Sequence, residues 1–331
     1  MPAVETRVAR REPRFPRTLG AWVIWPILAL LVAVYAAHQD LGLGGSDTDR
    51  FFSDWLNAAL LWASAAACLA GALRAERGRV AWILVSAALA SWALGDTIWS
   101  IRFGGEENPP LTSISDVFWL AWYPLILTAL ALLVRDRVPR FELHRWIDGV
   151  VVMIIVSIPW VALFLAPVQE ESTASEFADA VDFAYPLGNA IVFGATLGVY
   201  ALMAWRPGRM WLLLGTGLAA MGVADAIYAV QALGDSSHPS GFYDAAWVAG
   251  AVLVAYASWQ PHPGQLEPRE VRGWSAVALP LAAQGLAAAI QIYGFFYEIP
   301  RAERVLTLVV LLIAMVQIVV TRPGRDPAGG D

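Results

Sequence analysis

Long apolar runs, separated by short polar segments, follow one another along almost the whole chain. Each run has the length that a helix needs to cross the hydrocarbon core of a bilayer, about 20 residues. The pattern predicts ten spanning helices, at about 21–37, 53–73, 80–101, 115–134, 147–167, 183–204, 210–232, 243–259, 274–296 and 303–321. The expected fold class is therefore all-α, a polytopic membrane helical bundle.

The composition supports a membrane location. Hydrophobic residues make up 58% of the chain and charged residues 15%, and the mean hydropathy is +0.56. Soluble domains usually carry about a quarter of charged residues. A water-soluble fold is therefore not expected. The first predicted partner is the lipid bilayer.

The basic residues, all of them arginine, predict the orientation of the chain. With the N-terminus in the cytoplasm, every arginine falls in a cytoplasmic segment except Arg50, Arg102, Arg301 and Arg304. This bias follows the positive-inside rule for a cell-membrane, multi-pass protein with both termini cytoplasmic. The exclusive use of arginine indicates a bacterial source, and the first apolar run is read as a retained signal anchor.

An internal repeat relates two halves of the chain. The segment Gly95-Asp96-Thr97-Ile98-Trp99 matches Ala224-Asp225-Ala226-Ile227-Tyr228, Asp116-Val117-Phe118-Trp119 matches Asp244-Ala245-Ala246-Trp247, and Asn57 matches Asn189. Each unit contains four spans, an even number, so the two copies are predicted to be parallel. The predicted organisation is an arginine-rich cytoplasmic tail (1–20), repeat 1 (21–134), repeat 2 with its inner loops (135–273), a helix pair (274–321) and a cytoplasmic tail (322–331).

Each repeat places one aspartate near the outer end of a span and another at the start of the next span. Ionised groups at membrane depth are costly unless they face water or a partner, and aromatic faces attract cations. An aromatic ring also follows each aspartate at the i,i+3 spacing, on the same helix face. The candidate ligand-binding residues are Asp96, Trp99, Asp116, Trp119, Tyr123, Tyr185, Asn189, Asp225, Tyr228, Asp244 and Trp247.

Structural roles for the same residues remain open. Asp116 and Asp244 begin helices, where aspartate is favoured as a cap, and Asp96 and Asp225 could form hydrogen-bonded ties between helices. Tryptophan and tyrosine are also common in the interfacial belt of membrane proteins.

Other chemistry has no positive signal in the sequence. The chain has no P-loop, nucleophile elbow, zinc-protease motif or basic nucleic-acid patch, so neither an enzyme nor a nucleic-acid partner is expected. The four histidines fall in loops or at span ends, and Cys68 lies in an apolar run. No metal site and no cofactor are therefore predicted.

Several short motifs together resemble the multi-span N-terminal membrane region of bacterial cyclic-di-GMP signalling proteins, in which such helices precede GGDEF and EAL domains. The motifs are Gly95-Asp96 with Trp99, Asp116 with Trp119 and Tyr123-Pro124, Trp146-Ile147-Asp148-Gly149, Tyr185-Pro186-Leu187-Gly188-Asn189, and Ala224-Asp225 with Tyr228. The resemblance covers about residues 20–320. Asn189 departs from it, because the family tends to have aspartate at this position.

The resemblance implies a sensory input module. Because only a short tail follows Thr321, no GGDEF or EAL domain is expected, and neither cyclase nor phosphodiesterase activity. The leading hypothesis is a stand-alone sensor or regulatory module that binds a small, cationic ligand near the outer face and signals to a separate cytoplasmic signalling protein.

Two other functions stay open. A small-solute or proton-coupled transporter with parallel repeats could use Asp96 and Asp225 as coupling sites, although the apolar inner halves of these spans, 83–94 and 212–221, count against it. A structural membrane scaffold would use the same residues only for packing and capping.

Overall fold

A computed structural model describes residues 19–42, 44–104, 112–137, 176–203, 206–232 and 243–262, together with a few isolated positions. The predicted spans 147–167, 274–296 and 303–321, apart from isolated positions, lie outside the described residues, as do nearly all of the tail 1–20 and the whole tail 322–331. The seven other predicted spans fall within them.

The described chain is helical throughout, with no strand. Its helices are α1 (Leu19–Leu41), α2 (Ser46–Arg50), α3 (Asn57–Arg74), α4 (Arg79–Arg102), α5 (Ile114–Arg137), α6 (Glu176–Leu202), α7 (Arg209–Ala232) and α8 (Asp244–Ala257). A π-helical segment, Phe51–Leu56, joins α2 to α3. The all-helical class is confirmed, and each of these seven predicted spans coincides with a helix.

Five stretches of these helices are long and apolar enough to cross a membrane. They are Val23–Leu41, Thr48–Arg74, Arg79–Arg102, Ile114–Arg137 and Arg209–Tyr228. Helix α8 is apolar but shorter, with 14 residues. Length and composition thus agree with a membrane location.

Six of the helices close into a ring. From α3 to α8 each helix packs against the next, and α8 returns to pack against α3. Helix α1 lies outside this ring, against α8 and α3. Side chains from all six ring helices and from α1 form one hydrophobic core, in which the tryptophans Trp82, Trp122 and Trp211 are each at most 2% exposed.

Glycine and alanine allow the helices to approach closely, as is usual in membrane bundles. At the crossing of α7 and α8, a Cβ atom placed on Gly217 would lie 2.6 Å from the carbonyl oxygen of Gly250. A Cβ atom on Gly250 would lie equally close to the carbonyl of Gly217. The two backbones therefore touch at this point, and no side chain fits between them.

The helix ends fall into two groups, which define two ends of the bundle. The aspartate end holds Asn57, Asp96, Asp116, Asn189, Asp225 and Asp244; the arginine end holds Arg74, Arg79, Arg137, Arg209 and Trp259. The ring thus gathers at one end the polar residues that lie far apart in the sequence.

We expect Gly217→Ala to destabilise the bundle, because the added methyl group can be accommodated only if α7 and α8 separate. Overpacking of this kind typically costs about 1–3 kcal/mol. Unfolding of the detergent-solubilised protein, followed by tryptophan fluorescence, measures the change.

Gly222→Ala is the matched control, in the same helix, because a Cβ atom there meets no other atom within 4 Å. Replacing a helical glycine with alanine in open space is neutral or stabilises by up to about 1 kcal/mol. Equal unfolding free energies for the two variants would contradict the close crossing.

Candidate ligand site at the aspartate end

Asp96 joins three neighbouring helices. It lies in the last two turns of α4, and its Oδ1 accepts a hydrogen bond of 2.6 Å from Nε1 of Trp119 in α5. Its Oδ2 accepts a second bond of 2.6 Å from Nδ2 of Asn57, the first residue of α3. These three side chains form the first triad, in which both carboxylate oxygens have a neutral donor.

Asp225 has the same two kinds of partner on α6, α7 and α8. Its Oδ1 accepts a bond of 2.7 Å from Nε1 of Trp247, and its carboxylate is also hydrogen-bonded to the side chain of Asn189. These residues form the second triad. The residue types and their order along the chain are the same as in the first triad.

The rings that follow the aspartates pack against the tryptophans of the triads. The ring centroids of Trp99 and Trp119 are 5.6 Å apart, and those of Tyr228 and Trp247 are 6.0 Å apart. The rings at the i,i+3 spacing thus neighbour the tryptophans, and the ring that hydrogen-bonds to each carboxylate comes from the following helix.

Asp116 and Asp244 lie in the first turns of α5 and α8, and each accepts a hydrogen bond from a backbone N–H three residues earlier. Oδ2 of Asp116 accepts a bond of 2.7 Å from the N–H of Ser113, whose hydroxyl accepts a bond of 3.1 Å from the N–H of Ser115. This arrangement is similar to a capping box. Oδ2 of Asp244 accepts a longer bond of 3.2 Å from the N–H of Gly241, while the N-cap residue of α8 is Tyr243. Asp116 thus takes part in capping α5 from its first turn, and Asp244 binds the loop that precedes α8.

Asp116 also links the two units across the α5–α6 contact. Its Oδ1 accepts a bond of 2.6 Å from the hydroxyl of Tyr185, and the hydroxyl of Tyr123 donates to the backbone carbonyl of Tyr185 at 3.3 Å. The ring of Tyr123 lies so close to Gly188 that a Cβ atom there would be 2.6 Å away. Two predicted site tyrosines therefore bind each other and the helix cap.

Asp96 and Asp225 are close enough to interact electrostatically, and Tyr123 and Tyr185 lie near Asp225. Within the described residues, the ion pairs are His38 with Asp49 and Arg50 with Asp54. None of the four repeated aspartates is in an ion pair there. Asp96 and Asp225 both keep part of their surface exposed.

Helix α1 contributes polar residues that the sequence analysis did not include in the site. Tyr35 is only 3% exposed, is hydrogen-bonded to Gln39, and lies near Asp96 and Asp244. Gln39 donates a bond of 3.2 Å to the hydroxyl of Ser53 in the π-helical segment. The signal in the sequence was the presence of these polar groups near the end of an apolar run.

Asn57 was matched to Asn189 in the repeat but was not among the predicted site residues, although it completes the first triad. The residues that were predicted for the site all lie at the aspartate end. Among the described residues, no group of three or more histidine, cysteine, aspartate or glutamate side chains could hold a metal ion.

No family model, curated protein or solved structure matches this chain. The resemblance of its motifs to bacterial membrane sensor regions stays a prediction.

Trp119→Phe and Trp247→Phe are expected to lower stability, because each keeps most of the ring but leaves one carboxylate oxygen without a donor. Losing one bond to a buried charged acceptor costs about 1–3 kcal/mol. Unfolding free energies of the purified variants measure the loss.

Trp55→Phe is the control, since this ring is 46% exposed at the same end of the bundle. The two triad variants should unfold more easily than this control. If all three substitutions change the unfolding free energy equally, the indole N–H groups do not stabilise the triads.

Proposed function

We propose that this chain is an integral membrane sensor or regulatory module that binds a small organic cation, an amine or a guanidinium compound, at the aspartate end. Its signal would pass to a separate protein at the arginine end. The observation that carries this proposal is the pair of Asn–Asp–Trp triads, whose carboxylates interact and have no ion-pair partner among the described residues.

The chemistry of the triads favours a cation. Asparagine and tryptophan donate hydrogen bonds but carry no charge, so they hold each carboxylate in place without neutralising it. A carboxylate at membrane depth is costly unless it meets water or a positive partner. The neighbouring rings, the half-buried Trp99 and the exposed Tyr228, add aromatic surface of the kind that attracts an ammonium or guanidinium group.

We further infer that the two triads are copies of one structural unit. The helices that match are α3, α4 and α5 in the first four-span unit, and α6, α7 and α8 in the second. The matched sequence segments, the same bonding partners and the equivalent ring contacts support this inference. Two related half-sites, facing one shared ligand region, would follow from it.

Helix α1 offers a route by which a signal would pass from the aspartate end to the arginine end. Near the aspartate end its Gln39 donates a bond of 3.2 Å to Ser53, and its His38 stacks on Phe52, both in the segment that leads to Asn57. Near the arginine end its Trp25 packs edge-on against Tyr256 and Trp259, with centroid distances of 4.8 and 5.7 Å. One helix thus contacts both the candidate ligand site and the end where the partner would bind.

The packing beyond the triads favours a sensor over a transporter. The helices share a close-packed core, in which Trp82 and Trp211 toward the arginine end and Trp122 toward the aspartate end are all nearly inaccessible. A transporter needs a path through this core, whereas a sensor needs only a change in helix packing. The resemblance to membrane sensor regions supports the same choice.

Asp96→Asn and Asp225→Asn test the ligand site without a change of shape. The new amide can still accept a bond from the tryptophan, and rotation of the neighbouring asparagine amide restores the second bond. We expect a stable protein that binds cations at least about tenfold more weakly, because a hydrogen bond to a charged group is worth about 1.5–3 kcal/mol. Thermal unfolding is measured with a panel of monoamines, polyamines and guanidinium compounds.

Asp136→Asn is the matched control, since this aspartate is exposed at the arginine end. It should leave the binding of any stabilising compound unchanged. Stabilisation that persists in both triad variants would remove Asp96 and Asp225 from the site. If no cation stabilises the wild-type protein, the scaffold function is favoured, and amine flux into proteoliposomes that Asp96→Asn abolishes would favour the transporter.

The proposed orientation, with the arginine end in the cytoplasm, has its own test. Asp49→Cys at the aspartate end, where this residue is 60% exposed, should react with a membrane-impermeant maleimide in intact cells. Arg77→Cys at the arginine end should react only after the cells are opened. The native Cys68 is fully buried and gives little background. The reverse labelling pattern would invert the topology.

A further inference from the structure

Three aromatic rings form a cluster at the arginine end. Tyr256 and Trp259 lie at the C-terminal end of α8, three residues apart, and Trp25 from α1 packs edge-on against both of them. The indole N–H of Trp259 donates a bond of 2.8 Å to the backbone carbonyl of Ala67 in α3. The cluster is therefore fixed to three helices.

A guanidinium group lies against each of the two α8 rings. Cζ of Arg74 is 4.6 Å from the ring centroid of Trp259, and Cζ of Arg209 is 5.8 Å from that of Tyr256. Both distances are within the range of cation–π contacts, about 6 Å. The rings thus hold two positive charges in defined positions at the end of the bundle.

With respect to the described residues, both arginines keep most of their hydrogen-bonding capacity. Arg74 donates one bond of 2.9 Å to the carbonyl of Ala70, and Arg209 donates one of 3.1 Å to the hydroxyl of Tyr256. A guanidinium group carries five N–H donors. Neither arginine is in an ion pair within the described residues, and both side chains are exposed.

The neighbouring surface of α1 is apolar. Val23, Ile27 and Leu30 expose half or more of their area, beside a tryptophan that faces the cluster. Such a surface, next to two arginines at the level where a span ends, suits acyl chains below a phosphate group. Arginine binds phosphate oxygens in pairs because its planar N–H groups match their geometry.

We propose that Arg74 and Arg209, held by the Tyr256–Trp25–Trp259 cluster, bind the headgroup phosphate of an anionic phospholipid, with its acyl chains along the exposed face of α1. This site is separate from the cation site at the aspartate end and does not depend on it. A bound lipid would contact α1, α3, α7 and α8 together, and so would stabilise their contacts at the arginine end.

The test is a lipid titration of the detergent-purified protein, read by native mass spectrometry, with phosphatidylglycerol and phosphatidylcholine as probes. The wild-type protein should prefer phosphatidylglycerol. Each arginine near an anionic headgroup contributes about a fivefold gain in affinity, so R74Q/R209Q should weaken phosphatidylglycerol binding about 25-fold. Phosphatidylcholine binding should weaken much less, because its choline group offsets the charge of the phosphate.

R77Q/R135Q is the matched control, because it removes two exposed arginines from the same end and changes the net charge equally. It should keep the preference for phosphatidylglycerol. Equal losses in the two double variants would mean a general charge effect and would overturn the site. Displacement of the lipid by millimolar inorganic phosphate would assign the arginines to a soluble anion instead.

R74K/R209K separates loss of the site from loss of the fold. It retains both charges but not the planar donor groups, and should bind phosphatidylglycerol with intermediate affinity. The unfolding temperature in phosphatidylcholine micelles should be the same for all variants. Wild-type lipid binding by R74Q/R209Q would contradict the proposal.

Discussion

The hydrogen bond from an indole N–H to a carboxylate is the contact on which both halves of the described structure depend. Trp119 donates to Asp96 and Trp247 to Asp225, in each case from the start of one helix to the end of the preceding helix. Indole is a donor without charge. It therefore satisfies the carboxylate oxygen, which would be costly to bury alone, but leaves the negative charge in place. An arginine in its position would neutralise that charge and remove the attraction for a cation.

Periodicity along one helix explains both the success and the limit of the sequence analysis. Apolar length alone located seven helices of the described chain, because the bilayer requires long apolar runs, and five of the predicted spans contain stretches long and apolar enough to cross a membrane. The i,i+3 spacing pointed to Trp99 and Tyr228, which share a helix with the aspartates. The donors come from other helices, and only packing decides such contacts. The match of Asn57 to Asn189 was the sequence signal for one of these donors. Residues that recur together with the aspartates in a predicted repeat are candidates to contact them.

Sequence periodicity did not predict the conformation of the segment that leads into α3. Residues 51–56 form a π-helix, a conformation whose wider turns are uncommon and often occur at functional sites. Here Phe52 stacks on His38 of α1 at 3.9 Å, and Ser53 accepts a bond from Gln39. The polar residues of α1 thus gain their partners from an irregular turn. From its hydropathy alone, α1 is predicted only to anchor the chain in the membrane.

Helix α1 makes the two proposed units unequal. At the α5–α6 contact, the hydroxyl of Tyr185 binds the capping carboxylate Asp116. Tyr185 lies four residues before Asn189, and four residues before Asn57 the chain has Ser53, whose side chain is much shorter. At the matching α8–α3 contact, Tyr35 of α1 is a phenol that lies near Asp244. The first junction is therefore closed by a hydrogen bond within the ring, whereas α1 packs beside the second junction. If a cation draws the two triads together, the α1 junction is the one free to change.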